Sequence, residues 1–311
     1  MSSLNKQIFM RDEVPIKQVV ATVASGATGR GLSALSDVRQ WYKALKLLLE
    51  CRRPAIITGF YVKEAEACET DGPMGVSVLG RALMRLGKTP FIVTDWRCRS
   101  VVSAASAALR GPKVFVASKG RQLLDVGADL LVFIERPGRA RDGRYYNMRG
   151  LDITDVVDPL DDAVSLIPDI APNVKVLGIG DGGNEAGMGN FLQDLVSLLP
   201  EYGKCLSAVR SDGPVACDVS NWGAYGLVSL MSCVTGKFLL HDAGEELQMM
   251  MAMLDAGGVD GRTLERGPFV DGLHLSKNAK IVSALGNLIK SYLKAGLTPD
   301  EGVTFKGERS F

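Results

Sequence analysis

The sequence predicts an α/β fold: a mostly parallel sheet flanked by helices on both faces, Rossmann-like, with its site at the C-terminal edge of the strands. Two observations predict the fold and a third places the site. Short, almost wholly apolar runs alternate with segments of helical periodicity, as in chains that build βα units. Strands apolar throughout belong to parallel sheets covered on both faces. Charged or polar residues follow the apolar runs, and open α/β sheets bind ligands beyond the carboxyl ends of their strands.

Taken in order, the strand-like runs are residues 55–60, 91–94, 114–117, 130–134, 174–179 and 206–209. The clusters after them hold Glu69 and Asp71, then Asp95, then Glu135 and Arg136, then Asp181, then Arg210 and Asp212. Helical stripes separate the runs, each with apolar residues three and four apart. They are Trp41, Ala44, Leu45, Leu48 and Leu49; Val76, Leu79, Leu83 and Leu86; Met188, Phe191, Leu192, Leu195 and Leu199; Leu227, Leu230, Met231 and Val234; Leu247, Met250, Met251 and Leu254; and Leu285, Leu288, Ile289 and Tyr292. The uncharged stretch 219–236 carries Asn221, Trp222, serines and glycines, which reads as a buried helix rather than a membrane span. Residues 136–172 form a polar excursion placed to cap the site, and the last forty residues or so read as a helix and a loose tail. No linker divides residues 1–311, so one domain is expected.

Composition narrows the function. Lys and Arg number 36 against 35 Asp and Glu, a net charge of +1. Nothing there asks for nucleic acid or an anionic membrane. The 6 cysteines show no CxxC spacing, which reads as reduced thiols. The opening residues lack an apolar signal segment, and Asp12 and Glu13 suit a transit peptide poorly. The expected compartment is the cytoplasm, with the mitochondrion as second choice. The expected partners are a small acidic substrate and, at most, a second copy in a homodimer.

The densest motif is GIGDGGNEAGMG, residues 178–189. Its GxGxxG suits a phosphate-cradling turn, yet Asp181 and Glu185 would repel a pyrophosphate unless a cation lay between. Three readings stay open. Asp181, Glu185 and Asn184 suit Mg²⁺ or Mn²⁺ as oxygen ligands. The acids can instead hold a substrate ammonium, with N–H groups of Gly182 and Gly183 holding its carboxylate. Or the segment is a tight turn with Asp181 capping a helix. Glu69 and Asp71 form a second acid pair before Pro73, which suits a first helical position, and Asp71 could cap that helix. Arg136, Arg139, Arg141, Arg144 and Arg149 crowd one loop with Asn147, and guanidinium forks match carboxylates. Asn221 suits a cap of the helix it opens, and Trp222 a pocket wall. His241 and His274, the 2 histidines, sit at no metal or triad spacing.

Four motifs in one order, ETDGPMG, IERPGRARDGRYYNMRGLDIT, GIGDGGNEAGMGN and VSNWGAYG, resemble the C-terminal domain of the D-glutamate cyclase family, from about Arg53 to about Leu273. The resemblance implies a lyase that closes D-glutamate to 5-oxo-D-proline with loss of water. Such a reaction needs a base for the ammonium and a cation to neutralise the γ-carboxylate. The implied roles are Glu185, Asp181 and Glu69 in catalysis and Asp181, Glu185, Asp71 and Glu69 around Mn²⁺ or Mg²⁺. Arg136 or Arg139 would clamp the α-carboxylate, and Asn147, Asn184, Asn221, Gly182 and Gly183 would orient the substrate. The alternatives are a metal-dependent lyase or hydrolase of another small amino or carboxylic acid, and a non-catalytic nucleotide- or metabolite-binding domain.

Overall fold

A computed structural model describes residues 14–295. Its sheet contains β1 (Pro54–Ile57), β4 (Phe91–Thr94), β5 (Val114–Val116), β6 (Leu130–Ile134), β7 (Lys175–Gly180) and β8 (Gly213–Ala216). The strands lie in the order β5-β4-β1-β6-β7-β8, and every pairing is parallel. Successive strands first build outward from β1 to β4 and β5, then reverse to β6, β7 and β8. This is the doubly wound order, and its crevice lies where the order reverses, between β1 and β6. Two small hairpins, β2 (Tyr61–Val62) with β3 (Ala67–Cys68) and β9 (Phe269–Val270) with β10 (Leu273–His274), stand apart from this sheet.

The helices are α1 (Ile16–Val23), α2 (Val38–Glu50), α3 (Pro73–Arg85), α4 (Arg99–Ala108), α5 (Arg121–Asp125), α6 (Asp162–Ile170), α7 (Leu192–Leu198), α8 (Ser220–Thr235), α9 (Ala243–Asp255) and α10 (Leu275–Lys294). Alternation along each strand divides them between the two faces. Ile56, Ile92, Val132, Leu177 and Val215 face α2, α3, α4 and α8, and α9 packs on α4 beyond them. Ala55, Ile57, Val93, Leu131, Phe133 and Val176 pack under α5 and α6. The uncharged stretch is indeed a buried helix: Ser220 through Cys233 of α8 are all buried. Gly75 lets α3 approach it, since a Cβ there would lie 3.2 Å from the Asn221 Cα.

Three expectations are corrected. Residues 206–209 are not a strand; they fold over the 180s loop, with Ser207 N donating to Gly183 O and Ala208 N to Arg139 O. The sixth strand is β8, an edge strand that tolerates Pro214. The third stripe is only partly helical, because Met188 and Phe191 precede α7. In α9 the buried face is Glu246, Met249, Met250 and Met253, while Leu247 and Met251 are exposed. Helices α1, α4, α5 and α6 have no counterpart among the expected stripes. All six cysteines are buried and free. Among the described residues no helix is long and apolar enough to cross a membrane. The expected tail beyond α10 and the transit-peptide reading fall outside the described residues.

Candidate active site

Each carboxyl end around the switch point contributes an acid. Asp71 stands on the β1–α3 connection, Glu135 directly after β6 and Asp181 directly after β7. Asp271 joins them from the β9–β10 turn, where φ of 54° at Asp271 and 73° at Gly272 fit a two-residue Asp-Gly hairpin. Glu135 also has a positive φ, 43°, the kind of local strain that concentrates at functional sites. All these acids, with Glu69 and Glu185, are at most 7% exposed.

The glycine motif does cradle an anion, and that anion is Glu185. Its carboxylate accepts from the backbone N–H of Asp181 at 3.0 Å, Gly182 at 2.7 Å and Gly183 at 2.6 Å. Gly180 is small for the same reason: a Cβ there would lie 2.8 Å from Glu185 Oε2. Convergent N–H groups of this kind form a nest for negative charge. The cradling groups of Gly182 and Gly183, expected to hold a substrate carboxylate, are therefore already engaged.

Asp71 and Asn221 cap each other's helices, and Asp71 Oδ1 also accepts from Gly72 N at 2.9 Å at the start of its own. Asp71 accepts from Ser220 N and Asn221 N, both at 2.8 Å, at the start of α8. Asn221 Oδ1 accepts from Gly72 N at 3.0 Å and Gly75 N at 2.6 Å, at the start of α3. Ser220 Oγ donates to Glu135 at 2.6 Å. Asp181 caps no helix of its own segment; its Oδ2 shares Ser220 N at 3.3 Å with Asp71, and it pairs with Arg30, whose guanidinium bridges Asp181 and Asp271.

The charges perturb one another strongly. Burial, then Asp271, pushes Asp71 up to about 7 despite its helix N–H partners. Burial raises Glu69, with Glu135 and Asp271 adding to it. Burial raises Glu135, reinforced by Glu185 and Asp71. Burial also lifts Asp181 well above the carboxylate range, outweighing the opposing pull of Arg30. For Arg30, burial works against the charge, but Asp181 and Asp271 overcome it and hold the guanidinium well above its usual value.

Among the described residues two groups of carboxylates could hold a metal ion: Asp71, Asp181 and Asp271, and Glu135, Asp181 and Glu185, each with ligand atoms within 4.8 Å of one another. Asp181 is common to both. Oxygen donors suit a hard divalent cation. Among the described residues, Asp271 Oδ2 is buried without a hydrogen-bond partner. A buried polar atom left bare is costly, so the residues present fit such an ion. Glu69 belongs to neither group; it faces a neighbouring cavity of about 530 Å³, lined also by Arg30, Glu135, Asn147, Asn184, Arg149 and Arg262.

Arg136 and Arg139 do not line that cavity. Arg136 is 1% exposed and donates to Asp95 at 2.5 Å, Gly59 O at 2.9 Å and Asp158 O at 2.6 Å, so it ties β1, β4 and the excursion together. Arg139 pairs with Asp161 and Asp162. Asn147 faces the cavity, donates to Glu64 and receives Arg149 N and Leu151 N. Asn184 faces it too and donates to Tyr146 O at 3.0 Å. Sequence reasoning missed Arg30, Glu135 and Asp271 as site residues. Asp271 carried a signal, the Asp-Gly pair between apolar residues in FVDGLHL. Arg30 carried none. His274 accepts from Ser276 N and caps α10, while His241 is buried against Glu246.

Fold and site define a doubly wound α/β protein with a buried acid cluster at its switch point, opening on a small polar cavity. A family model described as "D-glutamate cyclase-like, C-terminal" matches residues 19–286. The chain belongs to that family. It is 30% identical over 255 residues to "D-glutamate cyclase, mitochondrial" of Homo sapiens, an alignment covering 73% of this chain and 41% of that protein.

Proposed function

We propose that the chain is a lyase that cyclises D-glutamate to 5-oxo-D-proline and water, with Mn²⁺ or Mg²⁺ at the acid cluster. Family membership and the relative's name support the substrate. The observation that carries the chemistry is the cavity wall, which sets Arg30, Arg149 and Arg262 alongside Glu69 and Glu135. That mixture complements a molecule with one ammonium and two carboxylates.

A cation bound by Asp181 with Asp71 and Asp271, or with Glu135 and Glu185, would neutralise a substrate carboxylate and make its carbon electrophilic. The remaining work falls to the side chains. The arginines hold the α-carboxylate. Glu69 takes the ammonium proton, for which its raised proton affinity and bare Oε1 suit it. The freed amine attacks the γ-carbon; as the C–N bond forms, the nitrogen gives up a second proton, both protons pass by way of Glu69 to one γ-oxygen, the C–O bond breaks and that oxygen leaves as water. Asn147 and Asn184 orient the chain of the substrate. Because the ring closes within one molecule, orientation alone can supply up to about 7–11 kcal/mol. Free thiols support a reducing compartment, the cytoplasm first and the mitochondrion second.

The test is Glu69→Gln. Turnover of D-glutamate should fall by about 10²–10⁴-fold, the usual worth of a general base, while Mn²⁺ affinity stays within twofold of wild type. Retained turnover would remove Glu69 from the chemistry.

A further inference from the structure

We propose that Arg30 and a divalent cation are alternative occupants of the acid cluster: the guanidinium is the counter-ion of the metal-free site and leaves Asp181 and Asp271 when the cation enters. The inference rests on the cation reading given above and concerns how that site loads.

The first observation is position. The fork bridges Asp181 and Asp271, two members of one carboxylate group, and Asp181 is also shared with the other group. A guanidinium and a metal ion compete for the same carboxylate lone pairs, and like charges a few Å apart repel. The second observation is incomplete satisfaction. With Arg30 in place, Asp271 Oδ2 remains buried and bare among the described residues. A planar fork has fixed directions, whereas Mg²⁺ takes octahedral oxygen ligands and completes its shell with water.

The third observation is the mounting. The loop base is pinned to Asp218: Ser25 N donates at 2.7 Å, Gly26 N at 2.9 Å, and Thr28 Oγ1 reaches Asp218 O at 3.1 Å. Beyond that base Arg30 stands between Gly29 and Gly31, with φ of 70° and 86°. The Arg30 backbone makes no hydrogen bond among the described residues. Its side chain is 23% exposed while Asp181 is fully buried. The tip can therefore turn outward without breaking the anchor. Once off the acids, the guanidinium still stands at the cavity wall, free to take a carboxylate, so the cation loads first and the carboxylate second.

The test uses the full chain, stripped with chelator and titrated with Mn²⁺ alone, with free Mn²⁺ read by electron paramagnetic resonance. Wild type, Arg30→Met and Arg30→Lys are compared. Displacement gives Mn²⁺ binding at least tenfold tighter in Arg30→Met and several-fold tighter in Arg30→Lys, which keeps the charge without the fork. If one variant fails to fold, the other still decides. Arg30→Lys binding like wild type would make Arg30 a fixed charge and overturn the inference. Weaker or unchanged binding in both variants would overturn it and leave the cation site standing. Mn²⁺ bound by none of the three would overturn the inference and the cation reading together.

Discussion

Glu185→Gln separates a carboxylate that organises the glycine loop from one that merely lines it. In wild type, Oε1 accepts from Asp181 N and Gly182 N, and Oε2 from Gly183 N, at 2.6–3.0 Å and fully buried. Glutamine keeps the shape but offers one oxygen. The least costly orientation keeps the two bonds to Oε1 and turns the amide nitrogen toward Gly183 N, donor against donor. One charge-assisted bond is lost, worth about 1.5–3 kcal/mol, and a buried N–H is left bare at about 1–3 kcal/mol. Relief of repulsion with Glu135 offsets part of this. The net expectation is about 2–4 kcal/mol of destabilisation. For a chain of this size 1 kcal/mol shifts Tm by about 2 °C, so metal-free Glu185→Gln should melt about 4–8 °C below wild type. Circular dichroism melts with a urea titration would measure it. A Tm within about 1 °C of wild type would refute the view that Glu185 holds the loop through its N–H groups.

Other outcomes follow from the same contacts. Asn221→Ala removes the acceptor shared by Gly72 N and Gly75 N and should cost about 2–4 kcal/mol; equal urea midpoints would show that the cross-cap does not matter. Arg136→Met strands the buried Asp95 carboxylate and should cost about 3–5 kcal/mol without changing Mn²⁺ affinity in whatever fraction folds. Asp71 binds its proton more tightly folded than unfolded, up to about 7. Its contribution is therefore full below the unfolded value and fades as pH rises through 7, by at most about 1.4 kcal/mol per pH unit. Metal-free Tm should thus decline between pH 5 and 8, and a Tm that climbs over that range would contradict it. Saturating Mn²⁺ at 100 times its Kd should raise stability by about 2.7 kcal/mol, reversibly with chelator.

The sheet was legible because its strands are buried on both faces and so read as uninterrupted apolar runs. Residues 91–94 and 130–134 match β4 and β6. β8 escaped because Gly213 and Pro214 erase that signal at an edge where neither is penalised. Within the site, Asp71, Asp181 and Glu185 fall into two carboxylate groups that share Asp181, since strand-end position is set by topology, while Glu69 borders the neighbouring cavity. Long-range pairing was not legible. Asp71 and Asn221 each looked like a local cap, and only the close packing of α3 on α8 exchanges them. The arginine-rich loop drew attention by density, yet Arg136 neutralises a buried acid in the scaffold, while a lone arginine between glycines reaches the cluster.

The most direct measurement is proton NMR of the purified chain with D-glutamate, after chelation and again with added Mn²⁺. Signals of 5-oxo-D-proline growing only in the Mn²⁺ sample are expected. Product at the same rate in both samples would contradict the cation, and no product in either, from folded protein that binds Mn²⁺, would contradict the cyclase.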